Sequence, residues 1–147
     1  MYRCCFAGHS NIDQSQVIEK LKIEILNMLK ATDDIEFWVG NYGAFDRIVS
    51  NVLLEIKSYN NIKTVLVIPY ITKDIQEHRT FYLDRFDEII IAPTKDSTPN
   101  RYKIIECNKY MISNSDCLIC YINHTWGGAY KTYEYALKKD IKIINIS

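Results

Sequence analysis

At three places in the chain an apolar run that reads as a buried strand empties into a glycine-bearing turn and then a helix, and this recurrence narrows the possible architectures sharply. Tyr2 to Ala7 leads into Gly8-His9-Ser10, followed by Asp13 to Lys30 with apolar residues at Ile18, Leu21, Ile25, Met28 and Leu29. Steps of three and four put one apolar face on a helix. Ile35 to Val39 closes on Gly40-Asn41-Tyr42-Gly43, after which Ile48, Val49, Val52, Leu53 and Ile56 mark a second helix. Thr64 to Ile68, stopped by Pro69, reads as a third strand. Phe86 to Ala92 holds a fourth, between the charged segment Lys73 to Arg85 and the loop Pro93 to Pro99. A helix over Arg101 to Ser113, a strand over Cys117 to Ile122, a helix over Gly128 to Lys139 and a strand over Ile141 to Ile146 complete the alternation. Tyr70 to Arg85 carries the weakest pattern.

This order predicts an α/β fold: a Rossmann-like, doubly wound, mainly parallel sheet with helices on both faces. With no internal repeat, linker or low-complexity stretch, residues 1–147 read as one domain. A chain of this length buries roughly 68–70% of its unfolded surface and needs no covalent staples. In such a sheet the ligand lies outside the carboxyl ends of the strands, where the strand order reverses. Right-handed crossovers bring the strand-to-helix loops to that edge. Gly8 to Ser10, Gly40 to Gly43 and Asn123 to Gly128 should therefore meet around one crevice.

Gly127-Gly128 is the most telling of these turns. Glycines at the start of a helix let a phosphate approach the backbone, and the open N–H groups of the first turn face it with the positive end of the helix dipole. Thr132 follows one turn later. Asn123 and Thr125 can reach a ribose or phosphate oxygen, and His9 and His124 can donate to phosphate or stack on a base. Asp46, in Gly43-Ala44-Phe45-Asp46, suits a helix start as a cap or as a ligand contact. Tyr42, Trp126 and Tyr130 stand in or beside the same loops, where aromatic faces can sandwich a base. The candidate binding set is thus Gly8, His9, Ser10, Gly40, Asn41, Tyr42, Gly43, Asp46, Asn123, His124, Thr125, Trp126, Gly127, Gly128 and Thr132. Glu134 is the carboxylate near the last glycine pair that could act as acid or base. Its place early in a helix is also what the dipole alone favours.

Eighteen basic and eighteen acidic residues cancel, with no polybasic run, which disfavours nucleic acid and anionic membranes as partners and leaves a small anion. Five cysteines, an odd number, and a start without the flanks of a signal peptide predict a reducing, cytoplasmic setting. Cys117 and Cys120 form a CxxC within a strand, where their side chains point to opposite faces. Cys4, Cys5, Cys117 and Cys120 are therefore expected in the core. His78 is expected in solvent, and the scattered histidines make no metal site. No segment approaches the roughly 20 apolar residues of a membrane span. Eleven tyrosines exceed what a core needs. Tyr102, Tyr110, Tyr133 and Tyr135 are read as packing or subunit contacts in a homo-oligomer.

CCFAGHS near the start, VGNYGAFDRIV, VLVIPY, NKYMISNSD and GGAYKTYEYALKKDIKIINI together resemble the SLOG superfamily over nearly the full length. That superfamily groups the Lonely Guy and lysine-decarboxylase-like proteins with DNA-processing protein A, and the nearest resemblance is to its small bacterial and phage branch, mostly of unknown function. The resemblance implies a Rossmann-like fold and a bound nucleotide. The catalytic branch carries PGGxGTxxE and an upstream arginine. Here GGAYKT has one residue more before Thr132 and no preceding proline, Cys107 stands where that arginine is usual, and Ser10 stands where many relatives show another. These departures favour a module that senses or sequesters a nucleotide or nucleotide-derived signal, in conflict between bacteria and phages, without a cofactor. The rival expectation is a nucleoside-monophosphate phosphoribohydrolase, an N-glycosidase with Glu134 as acid or base.

Overall fold

The computed structural model describes residues 1–147. In chain order the elements are β1 (Tyr2–Gly8), α1 (Gln14–Ala31), β2 (Ile35–Val39), α2 (Ala44–Lys57), β3 (Lys63–Ile68), α3 (Lys73–Glu77), α4 (Arg79–Arg85), β4 (Glu88–Ile91), α5 (Asn100–Ser113), β5 (Cys117–Tyr121), α6 (Gly128–Lys139) and β6 (Lys142–Asn145). Six strands form one sheet in the order β4-β3-β2-β1-β5-β6, every pair parallel. The expected fold class is the one observed.

Parallel strands covered on both faces are buried along their length, and β2, Ile-Glu-Phe-Trp-Val, is buried at all five positions, its one charged residue, Glu36, paired with Arg3 and Lys63. One face packs Phe6, Phe37 and Leu66 under α1 and α2, through Val17, Leu21 and Ile25 of α1 and Phe45, Val49, Leu53 and Ile56 of α2. The other face packs Cys5, Trp38, Val65 and Leu118 under α5 and α6, through Cys107, Met111, Ile112 and Ala136. Cys117 joins the first core and Cys120 the second, as strand alternation requires. All five cysteines are free and buried.

The charged segment between β3 and β4 resolves into two short helices. Thr72 caps α3 by accepting the Ile75 N–H at 3.2 Å. His78 is exposed and pairs with Asp74. At the amino edge Asp116 accepts the Arg3 N–H at 2.8 Å, tying β1 to the entry of β5. No helix is long and apolar enough to cross a membrane.

The chain runs outward from β1 through β2 and β3 to β4, then returns by way of α5 to β5 on the other side of β1. Strand order therefore reverses between β1 and β5. The loops leaving these two strands flank the switch point, where an open α/β sheet holds its ligand.

Candidate functional site

Gly43 and Gly127 are the N-caps of α2 and α6, and both adopt the same unusual backbone: φ 102°, ψ 178° and φ 94°, ψ 173°. That region is essentially restricted to glycine. Neither residue offers a side-chain cap, and the first helical bonds run from Arg47 N–H to the Gly43 carbonyl and from Lys131 N–H to the Gly127 carbonyl. The amides ahead of them, Ala44 to Asp46 and Gly128 to Tyr130, are the donors a helix leaves open at its start. Gly128 differs from its neighbour. Its φ is ordinary, and a Cβ added there would meet nothing within 4 Å.

Both helix starts border one cavity of about 160 Å³, lined by Phe6, Ala7 and Gly8 of β1, Tyr42 and Asp46 at α2, Ile104, Asn108 and Met111 of α5, and Gly128, Ala129 and Thr132 of α6. Gly40, Asn41 and Asp46 border a neighbouring hollow toward α4. The three glycine turns thus meet at one edge. A Cβ on Gly8 would lie 2.3 Å from Phe45 Cγ, so this glycine is required by the first turn of α2 pressing onto β1. At Gly40 the equivalent atom would lie 2.9 Å from Asp46 Oδ2.

Asp46 is the acidic group of this crevice. Its Oδ2 accepts the Tyr42 N–H at 2.8 Å, which folds the β2–α2 turn back over the helix start. Burial pushes its carboxyl up to about 7, against the opposing pull of that N–H. No salt bridge supplies a counter-cation. Near neutrality a large share of the molecules therefore carry a carboxylic acid here, able to donate to an anion. Cys107 is buried with its Sγ 3.9 Å from the Val67 carbonyl, and burial pushes its thiol up to about 12.

The β1 and β5 loops meet through their rings. His9 stacks on His124 at 3.4 Å with planes 14° apart, and His124 lies 4.0 Å from Trp126. His9 is 5% exposed and its Nε2 is buried without a hydrogen-bond partner. Burial, with His124 beside it, lowers its pKa. The Asn123 side chain reaches His124 Nδ1 at 2.8 Å. Trp126 is 70% exposed. Ser10 and Thr125 are exposed and belong neither to the cavity lining nor to the stack, although each is bonded to a member of the stack.

Two findings depart from expectation within the site. Thr132 does line the cavity, but its hydroxyl donates to the Gly128 carbonyl at 3.2 Å and braces the helix start. Glu134 is exposed and absent from the cavity wall. The inward face of α6 carries Thr132 and Ala136, and a residue midway between them on a helix of 3.6 residues per turn points the other way. The acid or base role expected of Glu134 has no geometric support. Sequence reasoning also passed over Asn145. Its side chain accepts the Ile122 N–H at 3.0 Å and donates to the Ile122 carbonyl at 2.9 Å, pinning the start of the β5–α6 loop to β6.

A larger groove of about 540 Å³ runs along the edge strand β4, lined by Ile68, Ile71, Ile75, Leu83, Ile89 and Ile91 with Gln76 and Arg79. It lacks the converging backbone donors that fix a polar ligand. No group of three or more histidine, cysteine or acidic side chains is placed to hold a metal ion.

No protein-family model matches the chain, and no curated protein matches it in sequence. Solved structures do. DNA processing protein A from Streptococcus pneumoniae superposes with a TM-score of 0.72 at 13% identity, over 97% of this chain and 49% of that one. DNA processing protein A from Helicobacter pylori, a structure that concerns a single-stranded DNA binding mode, gives 0.67 at 15% identity, over 97% of this chain and 63% of that one. The chain thus spans less than two thirds of either structure, and at these identities the likeness is one of fold. One expectation is corrected by it. Zero net charge leads one to expect no nucleic-acid partner, yet DNA processing protein A, which shares this fold, binds single-stranded DNA. The physical reason is that net charge sums over a whole surface, whereas a strand is held locally by backbone amides, a few cations and stacked rings.

Proposed function

We propose that the crevice between the starts of α2 and α6 captures the phosphate of a nucleotide-type ligand, either a free nucleotide or nucleotide-derived signal or a nucleotide within a single strand. One observation carries this reading: two helices with glycine-only caps and open first-turn amides border the same cavity at the switch point of a parallel sheet. Each exposed helix start contributes only about 0.3–1 kcal/mol toward an anion, rising to about 2 in partly buried geometry. Two that converge in a hollow give the interaction direction and selectivity. The resemblance to the SLOG superfamily supports a role in sensing or sequestering such molecules, including in conflict between bacteria and phages. The DNA processing protein A structures support nucleic acid as a source of the phosphate.

The hydrolytic reading survives only with a different residue. Asp46 lies in the crevice and burial raises its carboxyl to about 7, which suits an acid or base at physiological pH, whereas Glu134 sits on the outer face of α6.

One incubation separates these readings. The protein is mixed with mono-, di- and cyclic nucleotides, ADP-ribose and short single strands, then isolated, denatured and its released contents identified. Capture yields intact ligand, and hydrolysis yields free base with ribose phosphate. Gly128→Asp should fold normally, because a side chain there enters open space, and should lose at least tenfold in affinity as its carboxylate takes the anion position. Unchanged retention by this variant would remove α6 from the site.

A further inference from the structure

A cavity of about 160 Å³ is too small for a whole nucleotide, given that pockets enclosing drug-sized ligands run to roughly 300–1,000 Å³. If phosphate and part of the sugar fill it, the base must lie outside, against the rim. Two residues present exposed aromatic faces nearby: Tyr42, which lines the cavity, at 58%, and Trp126, two residues before the lining residue Gly128, at 70% exposure. The Tyr42 phenol faces that of Tyr70, close enough to raise the latter's pKa. Trp126 has one ring face covered by His124, which in turn rests on the buried His9. A large, exposed indole normally samples several rotamers. Here His124, itself backed by His9 from another loop, packs against one face of the indole and narrows that choice, so less ordering entropy remains to be lost when a second ring stacks on it.

Resting on the phosphate reading above, we propose that the outer face of Trp126 is a platform for a nucleobase, with His124 and His9 as its foundation. The spacing agrees. Trp126 is two residues before Gly128, so their Cα atoms lie within about 8 Å, a span that a ribose bridges between base and phosphate. The column also gives the buried His9 ring a partner for its face, against His124. Stacking on an indole is tolerant of base identity, since every base has a π-face. The platform therefore recognises the class of ligand, purine or pyrimidine ring joined to phosphate, and leaves selectivity among bases to edge contacts.

The test uses the full chain and three probes: adenosine 5′-monophosphate, ribose 5-phosphate and a hexameric oligoadenylate, with binding followed by calorimetry and by tryptophan fluorescence. Trp38 is buried and serves as the unresponsive background. The two base-bearing probes should quench the emission, and Trp126→Ala should weaken both by about 5- to 100-fold while leaving ribose 5-phosphate within twofold. Trp126→Phe, which keeps an aromatic face, should recover most of the loss. An oligonucleotide that binds tighter than the mononucleotide and weakens steeply with salt identifies a strand as the source of the base; the reverse order identifies a free nucleotide. Equal affinity of Trp126→Ala and the parent protein for both base-bearing probes would overturn the platform. Ribose 5-phosphate that fails to bind the parent protein would instead contradict the phosphate crevice, a separate failure that leaves quenching through Trp126 to decide the platform.

Discussion

Gly8→Ala should destabilise the protein by about 1–3 kcal/mol, the usual range for forcing extra volume into a packed site, with a fall in Tm of roughly 3–10 °C for a domain of this size. The backbone of Gly8 is not in the left-handed region, so conformational strain is not the cause. The cause is Phe45. The new methyl would lie 2.3 Å from Cγ and 2.6 and 2.8 Å from the two Cδ atoms, against the root of a ring that is 1% exposed and has nowhere to swing. Phe45 belongs to the first turn of α2, so relief by shifting that turn would also displace the open amides at the crevice. A double-mutant cycle with Phe45→Ala, which removes Cγ and both Cδ atoms, isolates the contact. The two substitutions together should cost less than the sum of their separate costs by at least about 1 kcal/mol in urea denaturation. A cost below about 0.5 kcal/mol for Gly8→Ala alone would mean that the glycine is only a strand terminator.

Asp46→Asn should leave stability unchanged at acid pH and raise it above the parent protein's as pH climbs past neutrality. In the folded state the carboxyl is raised from its ordinary value to about 7 by burial. Below pH 4 the folded and unfolded chains both hold the proton, and burial of the neutral acid carries no charge penalty. As pH rises from 4 to 7 the unfolded chain releases its proton while the folded one retains it, so the parent protein loses stability, at up to about 1.4 kcal/mol per pH unit, and the loss is complete above pH 7. Asparagine can still accept the Tyr42 N–H and carries no charge. The variant should therefore match the parent near pH 4 and melt higher at pH 8. Ligand affinity follows the same sign. A phosphate entering beside an ionised Asp46 is repelled, so parent affinity for ribose 5-phosphate should fall about tenfold from pH 6.5 to 8 beyond the ligand's own titration, whereas the variant should show only the latter. Parallel pH profiles for the two proteins would place the ionised carboxylate outside the phosphate site.

The sequence was most legible where one physical rule sets the pattern. The buried strands and the two amphipathic helices around Leu21 and Val52 follow from apolar spacing, and β2 and α6 fall at the expected residues, Ile35–Val39 and Gly128–Lys139. Tyr70 to Arg85 was less legible because α3 and α4 span five and seven residues, too short to establish a helical period. The convergence of glycine turns was readable from topology, since parallel crossovers send their loops to one edge. What each glycine does there was not. Gly43 and Gly127 serve a backbone shape, Gly8 serves the ring of Phe45, and Gly128 has open space; no local pattern distinguishes these cases. Glu134 is close to the glycine pair along the chain, but the turn of the helix carries it to the exposed face, away from the cavity lining. The His9–His124 contact joins two loops remote in sequence, and neither loop alone signals it.

The central claim is that the starts of α2 and α6 receive one anion together, and backbone amide NMR during a titration with ribose 5-phosphate tests it most directly. The account predicts that the largest shifts, saturating with a common dissociation constant, fall on Ala44 and Phe45 at one helix start and on Gly128 and Ala129 at the other. Shifts confined to one of the two helices, or centred on the apolar groove beside β4, would contradict it.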